Sequence, residues 1–263
     1  MAIQVADTLY GRHAVLEALR AGRRKIRRLF IAQGVRERGA VQEILNIASR
    51  ESIPVQRVQR TELDKLGAVN HQGVAAEASG YPYVTLAEIL DAAKRSHRDP
   101  LVLILDHLQD PQNLGTLLRT AEAVGVAGVI IPDRRAASIT PAVSNASAGA
   151  VEHLQITQVA NLAQTIQVLK EEGFWVAGLE RTEDAVPITQ ADFSGPLALV
   201  VGSEGKGMSR LVRERCDWLI MLPMAGRVTS LNAAVAGSVV LYLAWSARQA
   251  TGDAANPAEE AEE

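Results

Sequence analysis

The stretch Leu197-Ala-Leu-Val-Val-Gly202-Ser-Glu204-Gly-Lys-Gly207-Met-Ser209 decides how this chain is read. An apolar run of strand length ends in a glycine loop that holds one acid. A second apolar run, closing on Leu222-Pro-Met-Ala-Gly226-Arg-Val-Thr-Ser230-Leu-Asn232, ends in another glycine loop with Ser230 and Asn232. Two strand-to-loop junctions so close together predict one ligand crevice at the carboxyl ends of adjacent strands.

The first loop has to be tested as a phosphate cradle, because glycine loops after strands often serve that purpose. A P-loop requires Gly-Lys followed by Ser or Thr, and here Lys206 is followed by Gly207. The dinucleotide fingerprint requires a third glycine that Gly205-Lys-Gly207-Met-Ser-Arg210 lacks. Both patterns fail. Three glycines around one acid still point to backbone approaching a ligand. In the second loop, Ser230 reads equally as the N-cap of a long helix starting near Leu231, a role compatible with a place beside the crevice.

Outward from these loops, strands at 101–106, 128–132, 174–179, 197–202 and 218–223 alternate with helices at 113–124, 141–149, 160–172, 209–216 and 231–249, with a short apolar segment at 151–157. That alternation predicts an α/β domain with a parallel sheet covered on both faces. Residues 8–79 read as a smaller α/β unit, 80–99 as a linker, and 100–250 as the larger domain. The segment 251–263 has five acids, no base and four alanines, and is expected to be a disordered acidic tail.

Charge is divided unevenly. Residues 1–80 carry 13 Lys/Arg against 8 Asp/Glu, while the remainder is acidic and the net charge is −3. The densest basic run is Arg20, Arg23, Arg24, Lys25, Arg27 and Arg28, which reads either as a solvated helix end or as a contact for polyanion phosphates. The longest apolar stretches are strand-sized, and the N-terminus has no signal-peptide pattern, so a cytoplasmic address is expected. The single cysteine, Cys216, excludes an internal disulfide, and the five histidines show no metal-ligand spacing.

A third element lies upstream: Asp106-His-Leu-Gln-Asp-Pro111-Gln-Asn113-Leu-Gly115-Thr-Leu-Leu-Arg119. By itself, Asn113 reads as a helix cap, and Arg119 as a snorkelling surface residue or a held charge on an apolar helix. The three elements, in this order, resemble the signature motifs of the SpoU (TrmH-type) RNA ribose 2′-O-methyltransferases. Tyr10-Gly-Arg12-His-Ala-Val-Leu-Glu-Ala-Leu and Asn70-His71-Gln72-Gly73-Val are similar to the RNA-recognition domain that many of those enzymes carry at the N-terminus. The likeness covers residues 8 to about 248.

The resemblance implies a trefoil-knotted (SPOUT) catalytic domain, S-adenosylmethionine as methyl donor without a metal, and a homodimer. It implies donor contacts around Gly202, Leu222 and Leu231, with Gly207 and Gly226 in the same loops, and catalytic roles for Asn113, Arg119, Glu204, Ser230 and Asn232. The density of the basic run favours RNA contacts by Arg23, Arg24, Arg27 and Arg28, and Arg12 lies in the stretch that resembles the RNA-recognition domain. Ala234 departs from the family pattern, which has Ser there. The extra N-terminal domain resembles the subgroup that methylates a guanosine of 23S ribosomal RNA. The alternatives are a transfer-RNA or antibiotic-resistance methyltransferase, and a non-catalytic ribosome-assembly protein.

For Arg119, family proposals favour a general base. An arginine pKa of ~12.5–13.8 makes neutralisation at pH 7 cost about 7 kcal/mol. A cation that binds the neighbouring phosphate and stabilises a developing alkoxide is the cheaper role.

Overall fold

The run 197–202 is a strand with all six residues buried, and it lies near the middle of a seven-stranded sheet. The computed structural model describes residues 8–254 other than His97 and Thr229. They fall into two compact units.

The first unit takes the described residues up to Tyr83 together with Asp110–Arg119 and Ala137–Leu154. Its strands are β1 (Thr8–Tyr10), β2 (Ile26–Ala32), β3 (Val55–Val58) and β4 (Val74–Ala78), in the order β1-β4-β2-β3. The β2–β3 pair is parallel, and β4 runs antiparallel to both β1 and β2. Side chains alternate across the sheet, as strand geometry requires. Leu29, Ile31, Val74 and Ala76 join helices α1 (Arg12–Ala21) and α2 (Ala40–Arg50) in one core. Phe30, Ala32 and Ala75 join Leu63, on α3 (Arg60–Asp64), in another.

The basic run does not form one helix end. Helix α1 stops at Ala21 and Gly22 takes the left-handed conformation. Arg23 and Arg24 then lie in the turn, and Arg27 and Arg28 begin β2.

The second unit holds helix α4 (Leu86–Arg95) and strands β5 (Leu101–Asp106), β6 (Gly128–Pro132), β7 (Ile156–Val159), β8 (Trp175–Leu179), β9 (Val186–Pro187), β10 (Leu197–Gly202) and β11 (Trp218–Met221). All pairings are parallel, in the order β7-β6-β5-β10-β8-β11-β9. The chain builds outward from β5 to β7, crosses to β8, and then inserts β10 between β5 and β8.

One face packs Val102, Ile104, Ala198 and Val200 against Ile89 of α4, Ile166 and Leu169 of α7 (Leu162–Glu171) and Val212 of α8 (Arg210–Arg215). Leu103, Leu105, Leu199 and Val201 point the other way and are equally buried. Two-sided burial explains why β5 and β10 read as continuous apolar runs. Helix α5 (Pro111–Ala123) divides between the two units, and α6 (Pro141–Ala146) belongs to the first.

Helix α9 (Ala233–Ala254) starts two residues later than the spacing suggests and runs five residues further. Residues 251–254, expected in the tail, are therefore helical, and 255–263 lie outside the described residues. Arg248 anchors α9, donating to the carbonyls of Phe193, Asp99 and Gly195.

Candidate active site

In an open parallel sheet, ligands bind beyond the carboxyl ends of the strands, where the winding direction reverses. Here the reversal falls between β5 and β10. A cavity of about 670 Å³ opens at the carboxyl ends of β8, β10 and β11. Its walls include Gly202, Glu204 and Gly207 from the loop after β10. Leu222, Ser230, Leu231 and Asn232 come from the segment between β11 and α9. The two glycine loops therefore meet at one crevice.

The loop after β10 folds back on itself. Ser203 and Gly207 exchange two backbone hydrogen bonds of 3.0 and 2.9 Å, and Gly205 and Gly207 have φ of 75° and 65°. The return passes directly over Gly202, where an added Cβ would lie 2.3 Å from the Gly207 carbonyl carbon and 2.4 Å from the Met208 nitrogen. Gly202 is thus glycine because its own loop crosses it, which is a different reason from ligand approach. Buried Asp106, opposite Gly202 in the β5–β10 register, accepts from the Ser209 amide at 2.6 Å and contacts His107. It fixes the exit of the loop.

Asn232 caps α9. Its Oδ1 accepts from the amides of Ala234 and Val235 at 2.9 and 3.2 Å, and its Nδ2 donates to Glu204 Oε1 at 3.3 Å. Ser230 is not the cap, since the first helical hydrogen bond is from the Ala236 amide to the Asn232 carbonyl. Ala234, at the departure from the family pattern, is 1% exposed. Gly226 lies outside the lining, and a Cβ there would meet nothing within 4 Å.

Sequence reading missed Leu179, Glu180 and Arg181, which follow or end β8 and complete the wall. The available signal was the acid directly after the apolar run 174–179. Cys216 is no nucleophile: burial, reinforced by Asp217, pushes its thiol up to about 12.

Asn113 and Arg119 belong to the first unit. Asn113 donates to Asp110 at 2.8 Å. Arg119 is exposed and has no ion-pair partner among the described residues. Arg12 donates through Nε to the Gln72 carbonyl at 3.2 Å.

Arg24 requires a correction as an RNA contact. Its side chain is 4% exposed and makes a two-pronged pair with Glu152, at 2.7 and 3.0 Å, with Ser144 in the same network. A guanidinium sealed in this way presents no charge to a phosphate in solvent. Arg23 is also committed, donating to the carbonyls of Leu154 and Pro82. Arg27 is exposed, with Glu77 3.7 Å away, and Arg28 is half-buried. Among the described residues, no group of three or more His, Cys, Asp or Glu is arranged to hold a metal ion. No helix of the described residues is long and apolar enough to cross a membrane.

Comparison with known proteins agrees with this geometry. The model of the SpoU rRNA methylase family matches residues 100–242, and that of the RNA 2′-O ribose methyltransferase substrate-binding domain matches residues 8–84. A Bacillus subtilis protein named as a TrmH family tRNA/rRNA methyltransferase is 44% identical over 252 residues, covering 95% of this chain and 99% of that one. The AdoMet-bound rRNA methyltransferase from Sinorhizobium meliloti superposes with a TM-score of 0.74 at 24% identity, over 92% of this chain and 87% of that chain. The TrmH/SpoU tRNA-modifying enzyme of A. aeolicus gives 0.55 at 28% identity, over 66% of this chain and 89% of that chain. Family models spanning most of the chain, and a relative matched nearly end to end, lead to one conclusion: this chain belongs to the SpoU family of RNA methyltransferases.

Proposed function

We propose that the protein transfers a methyl group from S-adenosylmethionine to a ribose 2′-hydroxyl of structured RNA, most specifically a guanosine of 23S ribosomal RNA. The observation that carries this reading is the convergence of the two glycine loops on one cavity, joined by Asn232 and Glu204, in a chain of this family. The cavity suits the donor. Its volume is in the usual range for small ligands, Leu179, Leu222, Leu231 and Met224 offer apolar wall to a flat base, and Glu204 offers negative charge to a cation.

S-adenosylmethionine supplies a methyl group activated by its sulfonium. The 2′-hydroxyl oxygen takes that methyl, the sulfur–carbon bond breaks, and the hydroxyl proton leaves to water. The protein's task is alignment and charge stabilisation. Asn232, held by the α9 amides, keeps Glu204 at the cavity mouth. Arg119 grips the phosphate beside the target ribose and stabilises the developing alkoxide.

Arg12, Arg27 and Arg28 are the remaining candidates for RNA phosphates on residues 8–79, and 100–250 is the catalytic, trefoil-knotted domain. The substrate-binding family match supports an RNA substrate. A homodimer is supported by α9, where Val235, Val239 and Tyr242, spaced along one helix face, are 46%, 38% and 54% exposed.

The test is methylation by purified protein of 23S ribosomal RNA and of transfer RNA transcripts, with the modified nucleotide mapped by mass spectrometry. Methylation confined to transfer RNA would replace the ribosomal target.

A further inference from the structure

We infer that Glu180 is a donor-binding residue whose carboxylate accepts hydrogen bonds from the ribose hydroxyls of the methyl donor; this rests on the donor reading above. Glu180 follows β8 directly and lines the cavity. Its backbone is fixed, because its amide donates to the Ile220 carbonyl of β11 at 3.1 Å.

The side chain has two different oxygens. Oε2 is sealed from solvent and accepts no hydrogen bond among the described residues; Arg213 Nε stands 3.4 Å from it. Oε1 lies beside the bare Cα of Gly207, itself a cavity-lining residue, where an added Cβ would come within 2.8 Å of it. With the Arg213 guanidinium at Oε2 and only a bare glycine at Oε1, Oε1 is the acceptor left to a ligand among the residues that line the cavity. A carboxylate has no hydrogen to donate, so its partner there must be a donor.

The chemistry selects among the parts of the ligand. A sulfonium carries no O–H or N–H, and Glu204 already places negative charge in the cavity. Adjacent sugar hydroxyls offer two donors to a single carboxylate. In dinucleotide-binding folds an acid accepts from a ribose hydroxyl in the same way. Gly207 then has a second purpose besides its positive φ: any side chain there would close the approach to Oε1.

The experiment measures binding, not turnover. Calorimetry with S-adenosylhomocysteine and with its analogue lacking both ribose hydroxyls is run on the wild type, Glu180→Gln and Glu180→Ala. Hydrogen bonds to a charged group predict an affinity loss of about 10- to 100-fold when the wild type meets the analogue. Glu180→Ala should lose a similar factor for S-adenosylhomocysteine and lose little more on the analogue. An equal penalty for hydroxyl removal in all three proteins would overturn the assignment. So would a variant that weakens both ligands alike, which would point to the ligand's amino groups. A wild type with no affinity for S-adenosylhomocysteine would remove the donor reading itself. If Glu180→Ala does not fold, the wild type and Glu180→Gln decide alone.

Discussion

Asn232 Nδ2 lies 3.3 Å from Glu204 Oε1, and this contact joins two loops separated by 28 positions in the chain. The same asparagine closes the first turn of α9 through Oδ1. One side chain therefore sets the end of a helix and the position of an acid in the cavity.

The double role separates two substitutions. Asn232→Asp keeps an acceptor for the helix amides, but it sets a second carboxylate against Glu204. It should unfold close to wild type and lose methyl transfer. Asn232→Ala should lose transfer and also about 0.5–2 kcal/mol of stability through the missing cap. Urea denaturation beside a transfer assay tests both, and an active Asp variant would show that the Glu204 contact is dispensable.

Glycine at 202 and at 226 should behave oppositely. Gly202→Ala drives a Cβ into the Gly207–Met208 peptide, so about 1–3 kcal/mol of stability should be lost as the loop opens. Gly226→Ala meets open space and should stay within about 0.5 kcal/mol of wild type. Equal stabilities would mean that the loop does not cross Gly202 in solution.

The basic residues also divide. Arg24→Ala strands the buried Glu152 carboxylate and should cost about 3–5 kcal/mol of stability. Arg27→Ala combined with Arg28→Ala should leave stability nearly unchanged and weaken RNA binding, with a shallower salt dependence because fewer counterions are released. Filter binding at several salt concentrations is the check, and an unaltered slope would move the RNA contact elsewhere.

The runs 101–106, 128–132 and 197–202 were legible because two-sided burial writes them as unbroken apolar stretches. Strand β1, with three residues, and β9, with two, are too short for any period to register. The insertion of β10 between β5 and β8 is a tertiary pairing that spacing along the chain does not encode. The two glycine loops revealed the cavity, but Glu180 did not stand out, because its partner Arg213 is distant in sequence. Arg24 misled for the same reason: Glu152, which neutralises it, is 128 positions away.

Arg119→Lys discriminates between the two roles for that residue. An ammonium cannot reproduce the two-pronged grip of a guanidinium on phosphate, so transfer should fall strongly while S-adenosylhomocysteine affinity stays within a few-fold. Near-normal turnover in the lysine variant would argue against the phosphate clamp.

Alkaline hydrolysis reads directly whether the methyl group goes to a ribose 2′-oxygen. Purified protein is incubated with methyl-labelled S-adenosylmethionine and 23S ribosomal RNA, and the RNA is then digested with alkali. Alkaline cleavage needs a free 2′-hydroxyl, so a 2′-O-methylated nucleotide survives in a dinucleotide. Label is expected in one alkali-resistant dinucleotide with guanosine at its 5′ position, and none with Arg119→Ala. Label released as a mononucleotide would place the methyl on a base and contradict transfer to a ribose 2′-oxygen.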